Sequence, residues 1–111
     1  MSPADRLRLE HMLTAARDTL DSVSGRSRES LARDRMLLRS IERELEIIGE
    51  AANKVSGEFR VSHPEIPWAD MIGMRNRLTH AYFDIDLDMV WETVKEDLPS
   101  LVDRLDEVLA T

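Results

Sequence analysis

The sequence predicts an all-α fold: an antiparallel bundle of four or five helices in a single domain spanning residues 1–111. Three observations carry that expectation. Apolar residues recur at three- and four-residue steps along nearly the whole chain, the period of one buried helix face. No stretch keeps the two-residue alternation of a half-buried strand. Only four glycines and four prolines punctuate the periodic stretches, and no internal repeat is visible.

The first helical stretch carries Leu9, Met12, Leu13, Ala16, Leu20 and Val23 on one face. Ser2 before Pro3 is an N-cap followed by proline at the first helical position, and Gly25 ends the stretch. The second begins near Ser27 and continues through Leu37, Leu38, Ile41, Leu45, Ile48, Ala52 and Val55 to about Ser56, with Gly57 as its stop. Glu42, Arg43, Glu44, Glu46 and Glu50 form its solvated face. Gly49, Ala51 and Ala52 are small enough to admit a neighbouring helix closely. Such packing offsets the roughly 1 kcal/mol that a helix-interior glycine costs relative to alanine.

Residues 62–67, SHPEIP, read as a linker, because two prolines so close together do not fit inside a helix. Pro67 then opens a third helix whose buried side is Trp68, Met71, Ile72 and Leu78. The last stretch starts at Asp84 or Asp86, either of which can cap it. Leu87, Val90, Trp91, Val94, Leu98, Leu101, Val102, Leu105, Val108 and Leu109 form its stripe. Pro99 lies inside that stripe, so the last helix is expected to be kinked or split there.

Composition narrows the function classes. With 42% hydrophobic and 33% charged residues the chain has a globular rather than a disordered balance. The absence of cysteine excludes disulfides and thiolate metal sites. The N-terminal residues mix charges and form no signal-peptide core, and no run approaches a membrane span. A cytoplasmic location without membrane contact is the expectation. The net charge of −7 argues against a polyanionic partner at first sight, but the charge is unevenly distributed. Residues 84–111 hold nine acidic against two basic residues, whereas residues 67–83 hold one acid and two arginines. Thirteen of the fifteen basic residues are arginine, which suits bidentate phosphate contacts and is also a bias that genomic base composition produces.

Within MRNRLTHAYFD, residues 74–84, Arg75, His80 and Tyr82 read R-x-x-x-x-H-x-Y, with Asn76 after the arginine. These residue types suit metal-free cleavage of RNA. A histidine titrating near neutrality moves the proton of a 2′-hydroxyl, and an arginine fork stabilises charge on the phosphoryl oxygens. Tyrosine and asparagine supply hydrogen bonds, and tyrosine also stacks on a base. The plainer reading stands beside this one: a helix-end histidine caps carbonyls, an arginine pairs with a neighbouring acid, and Tyr82 next to Phe83 simply packs. Geometry adds a condition. On a straight helix Arg75 and Tyr82 lie about 20° apart, but His80 lies about 140° from Arg75. Convergence requires the helix to end or rewind between Leu78 and Tyr82, or a second chain to complete the site.

No other constellation competes. His11 lies on the first helix, half-buried or exposed, and His63 before Pro64 is a turn residue. No histidine pair has zincin spacing, no glycine-rich phosphate loop occurs, and no metal or cofactor is expected. Met36, Met71, Met74 and Met89 read as core filler.

Three stretches together carry a resemblance: IERELEIIGEAANKVS at 41–56, HPEIPWADMIGMRNRLTHAYF at 63–83, and DLDMVWETVKEDLP at 86–99. In order and spacing they resemble the HepT-like toxins, a branch of the HEPN superfamily, over nearly the whole chain. The resemblance implies a HEPN-like bundle that forms a homodimer and brings two motif sets to a shared cleft. It implies a metal-independent ribonuclease acting as the toxin of a type VII-like toxin–antitoxin pair. Arg75 and His80 would then be catalytic, and Asn76 and Tyr82 would position the RNA. The implied partner is a small MntA-type nucleotidyltransferase antitoxin that attaches AMP to the motif tyrosine, here Tyr82. Negative charge and bulk at that position would exclude an RNA phosphate. The alternative is a non-catalytic binding module that docks a nucleotidyltransferase or a nucleotide.

Overall fold

Ser2 starts the first helix as expected: its hydroxyl accepts the Asp5 amide at 3.0 Å, and Pro3 takes the first helical position. A computed structural model describes residues 1–80 and 85–110 of the chain. Helix α1 spans Pro3–Val23 and ends at Ser24, beyond which Gly25 adopts φ +74°, a left-handed conformation that suits glycine.

The long second helix is broken where the sequence alone did not place a break. Helix α2 covers only Arg28–Arg33, and α3 runs Arg35–Lys54. Between them Asp34 leaves helical geometry at φ −112°, ψ 94°, and its carboxylate accepts the Leu37 amide at 3.0 Å. An aspartate that satisfies a free amide competes with continuing the helix. The cap also holds the Asp34 carboxyl below its ordinary range, through the Leu37 amide first and the Arg26 side chain second. A second correction concerns Gly57. Helix α3 stops at Lys54, Val55 is extended, and Gly57 begins a short helix α4, Gly57–Ser62, capped by the Ser56 hydroxyl on the Phe59 amide at 3.2 Å. Half of the expected C-terminal stop is therefore an N-terminal start. Met36, expected in the core, is 83% exposed on the first turn of α3.

Ser56 is itself held from a distance. Asp5, only 7% exposed, accepts the Ser56 amide at 2.9 Å and the Ser56 hydroxyl at 2.7 Å, tying the start of α1 to the turn between α3 and α4. The Ser56 hydroxyl, then its amide, hold the Asp5 carboxyl below 3.8, with burial opposing them less strongly. A depressed folded-state value means that the carboxylate stabilises the fold above its unfolded pKa and loses that contribution as pH falls through the folded value. Asp5→Asn is expected to cost about 1–2 kcal/mol at neutral pH. Thermal melts should show the gap between variant and wild type closing below about pH 4.

His63, at the end of α4, places Nδ1 3.1 Å from the Phe59 carbonyl and stacks on the Phe59 ring at 4.1 Å. Trp68 meets Phe59 edge-on and donates its indole N–H to the His63 carbonyl at 2.9 Å. These contacts fix the linker, and helix α5, Trp68–His80, follows directly after Pro67. Asp86 caps α6, Leu87–Glu92, through the Met89 amide. The expected interruption near Pro99 takes the form of a π-helical turn, Thr93–Asp97, continuing into α7, Leu98–Leu109. There the Leu98 amide reaches back five residues to the Thr93 carbonyl. The wide turn comes just before Pro99, which has no amide to donate.

The layering is α5 on α3, α3 on α1 and α1 on α7. Leu9, Met12 and Ala16 of α1 interlock with Ile41, Ile48 and Ala52 of α3 and with Leu98, Leu101 and Leu105 of α7, all fully buried. Arg17 of α1 grips Asp106 of α7 with two contacts at 2.7 and 2.8 Å. Among the described residues there is no strand, and no helix is long and apolar enough to cross a membrane.

Candidate active site

Helix α5 carries the motif, and α3 sets how deeply it sits. At Gly49 the two helices meet backbone to backbone: a Cβ there would lie 2.2 Å from the Arg75 Cβ and 2.7 Å from the Met71 carbonyl oxygen. Of the small residues singled out in the sequence, Gly49 serves this close crossing, and Arg75 stands at it. Met71, Met74 and Leu78 fill the buried side of α5 around this point.

Arg75 is half-buried and pairs with no carboxylate among the described residues. Its Nη1 donates to the Asn76 side-chain oxygen at 3.0 Å, and its Nε is shut off from water without an acceptor. A guanidinium engaged only by a neutral amide keeps its charge available for an anion. The plainer expectation, a salt bridge to a neighbouring acid, is not what this residue makes.

His80 is exposed at the end of α5, with Nδ1 2.8 Å from the Asn76 carbonyl. A carbonyl only accepts, so Nδ1 carries the proton of that bond. Nε2 is then the acceptor nitrogen of the neutral ring. The capping role foreseen for this histidine is therefore real, and it leaves Nε2 without a partner among the described residues. Thr79 turns its hydroxyl onto the Arg75 carbonyl at 2.9 Å.

Asn76 joins the two groups, its side chain to Arg75 and its carbonyl to His80. The structure thus brings Arg75, Asn76 and His80 into one hydrogen-bonded series. Direct Arg75–His80 contact does not occur on this helix, where a separation of about 140° sends them to different faces. Helix α5 is described to His80; Tyr82, and the alternative cap Asp84, lie outside the described residues.

Two depressions flank α5 and differ in charge. One is lined by Asp70, Met74, Arg77, Met89, Glu92 and Asp97, against the π-turn. Burial pushes the Asp97 carboxyl up, and Asp70, Glu92 and Glu96 push it further. Arg77 there contacts the Met89 sulfur at 3.1 Å. The other is a groove between α4 and α5, lined by Gly57, Arg60, Val61, Trp68, Ile72 and Asn76. Sequence reasoning missed Arg60 because α4 itself was missed; the Ser56 cap was the available signal. Among the described residues no group of three or more His, Asp or Glu side chains is arranged to hold a metal ion.

An all-helical bundle with an unpaired arginine, an asparagine and a helix-end histidine on one helix is of the HEPN-like class. Comparison with known proteins makes this specific. The family described as "Ribonuclease HepT-like" matches residues 12–108. The protein named "Putative RNase TTE0752" of Caldanaerobacter subterraneus subsp. tengcongensis is 39% identical over 101 residues, 91% of this chain and 90% of that one. "Probable ribonuclease HepT" of Thermococcus cleftensis is 50% identical over 66 residues, 60% of each chain. "Putative RNase MJ1380" of Methanocaldococcus jannaschii is 37% identical over 93 residues, 84% of this chain and 85% of its own. No solved structure gives a significant match. The chain belongs to the HepT-like ribonuclease family.

Proposed function

We propose that the chain is the toxin of a toxin–antitoxin pair, a homodimeric, metal-independent ribonuclease using Arg75 and His80. The observation that carries this reading is the pair of functions held by Asn76: a guanidinium with no carboxylate partner and a histidine with Nε2 unengaged, both among the described residues. In cleavage, His80 Nε2 accepts the proton of a 2′-hydroxyl. The 2′-oxygen attacks the adjacent phosphorus, the P–O5′ bond breaks, and the 5′-oxygen leaves with a proton taken from water. Arg75 stabilises the charge that develops on the phosphoryl oxygens. Because the two groups leave α5 on different faces, a second copy supplies the complementary member along a shared cleft.

Tyr82 is the regulatory position in this reading. An MntA-type nucleotidyltransferase transfers AMP from ATP to its hydroxyl and releases pyrophosphate. The added phosphate then repels the RNA backbone from Arg75. The test is incubation of the purified chain with RNA in EDTA, before and after treatment with the partner and ATP. Cleavage in EDTA that stops once AMP is attached is the expected result. A chain that binds the nucleotidyltransferase but leaves RNA intact would instead be a docking module.

A further inference from the structure

We propose that the groove between α4 and α5 is a subsite for single-stranded RNA, in which Arg60 holds a phosphate neighbouring the one at Arg75. This rests on the ribonuclease reading and extends it to residues outside the motif.

Arg60 makes no ion pair and no side-chain hydrogen bond among the described residues, and its Nε is buried without an acceptor. Arg60 and Arg75 hold the two such atoms in the described chain. Asn76 links them: it lines the groove with Arg60 and accepts a hydrogen bond from Arg75. The groove is thus continuous with the motif.

Charge decides which side of α5 a polyanion follows. The cavity against the π-turn presents Asp70, Glu92 and Asp97 against the single cation Arg77, whereas the α4–α5 groove is lined by one cation and no acid. An RNA strand leaving Arg75 is repelled from the first and attracted to the second. The groove floor suits an unpaired base. Val61, 81% exposed, and the half-buried Ile72 line it, while the Trp68 ring, only 8% exposed, is fixed behind them by its bond to the His63 carbonyl. An apolar floor beside an arginine is the combination on which bases pack while a phosphate is held, with little preference for sequence.

The test measures binding of a non-cleavable 2′-O-methyl RNA oligonucleotide to the full chain over a range of salt. Arg60→Gln is expected to bind about tenfold more weakly at low salt. Its plot of log affinity against log salt should be shallower by about 0.7, the loss of one single-strand phosphate contact. Arg60→Lys should restore the slope, which a merely structural role would not do. Val61→Glu, placing a carboxylate on the groove floor, should weaken binding as well. Wild-type affinity and slope in Arg60→Gln would overturn the subsite while leaving the motif reading intact. A variant that loses RNA only because its elution volume shifts from dimer to monomer would assign the groove to the second copy and overturn it too. No RNA binding by the wild-type chain would remove both readings together.

Discussion

His80→Ala is expected to lower RNA cleavage about a hundredfold to ten-thousandfold, the range over which positioned general acids and bases act. Arg75→Ala should cost about a hundred- to a thousandfold, as for other donors aimed at developing charge. Neither loss should come from unfolding. His80 is exposed and its one hydrogen bond is to a carbonyl of its own helix. Among the described residues Arg75 makes no ion pair, and its one side-chain hydrogen bond is to the adjacent asparagine. Melting temperatures within a few degrees of wild type are therefore expected for both. Arg75→Lys separates charge from geometry: it keeps the cation but lacks the planar fork, so it should recover only part of the rate. Rate against pH supplies the second readout, since removal of His80 should delete one limb of the profile. Full cleavage by either purified alanine variant would end the assignment of that residue.

Gly49→Ala should be the most damaging single-methyl change in the chain. The two nearest of the three atoms the new Cβ would strike are the Arg75 Cβ and the Met71 carbonyl oxygen, at 2.2 and 2.7 Å. Neither is the end of a flexible side chain, so α5 itself must move away from α3. Overpacking of this kind costs about 1–3 kcal/mol, against which alanine returns about 1 kcal/mol of helix propensity. The kinetic effect should exceed the thermal one. A displacement of about 1 Å at a reacting group is worth on the order of a hundredfold in rate, and the displaced residue is Arg75. Gly73→Ala on the same helix provides the contrast, because a Cβ there meets nothing within 4 Å. It should raise the melting temperature, consistent with a gain of about 1 kcal/mol. Equal melting behaviour and equal activity of Gly49→Ala and wild type would show that the close crossing is not what seats the arginine.

The parts of the fold legible in the sequence were those set by long apolar periods and strong stops. The Ser2–Pro3 start, the Gly25 end and the tight approach at Gly49 are local consequences of residue type and needed no tertiary information. The disruption around Pro99 was legible as well, although its form as a π-turn depends on burying Val94 and Leu98 together. The break at Asp34 was not seen, and near Ser56 the end of α3 was placed but the restart as α4 was not. Apolar spacing continues across both, since Leu31 and Leu37, and Val55 and Phe59, enter the same core. Ser56 is moreover held by Asp5, a partner 51 positions away in sequence.

The site was half legible. Residue chemistry named Arg75, Asn76 and His80, and the angular argument foresaw that one straight helix would not converge them. What it did not contain was that neither Arg75 nor Arg60 makes an ion pair among the described residues, because that depends on the packing of other helices around α5. Sequence spacing also gave no hint that the two sides of α5 differ in charge.

Asn76 serves the site with two different kinds of atom, and mutation reaches only one of them. Its side-chain oxygen orients Arg75 and vanishes when the residue is exchanged for an apolar one. Its carbonyl, which keeps the proton on His80 Nδ1, is present in all twenty amino acids. The protonation pattern of the histidine is therefore insulated from drift at position 76, provided the helix holds, whereas the aim of the arginine is exposed to it. If Arg75 and His80 act as proposed, a lineage can lose the precision of its phosphate grip one substitution at a time while its proton-transfer group stays correctly set.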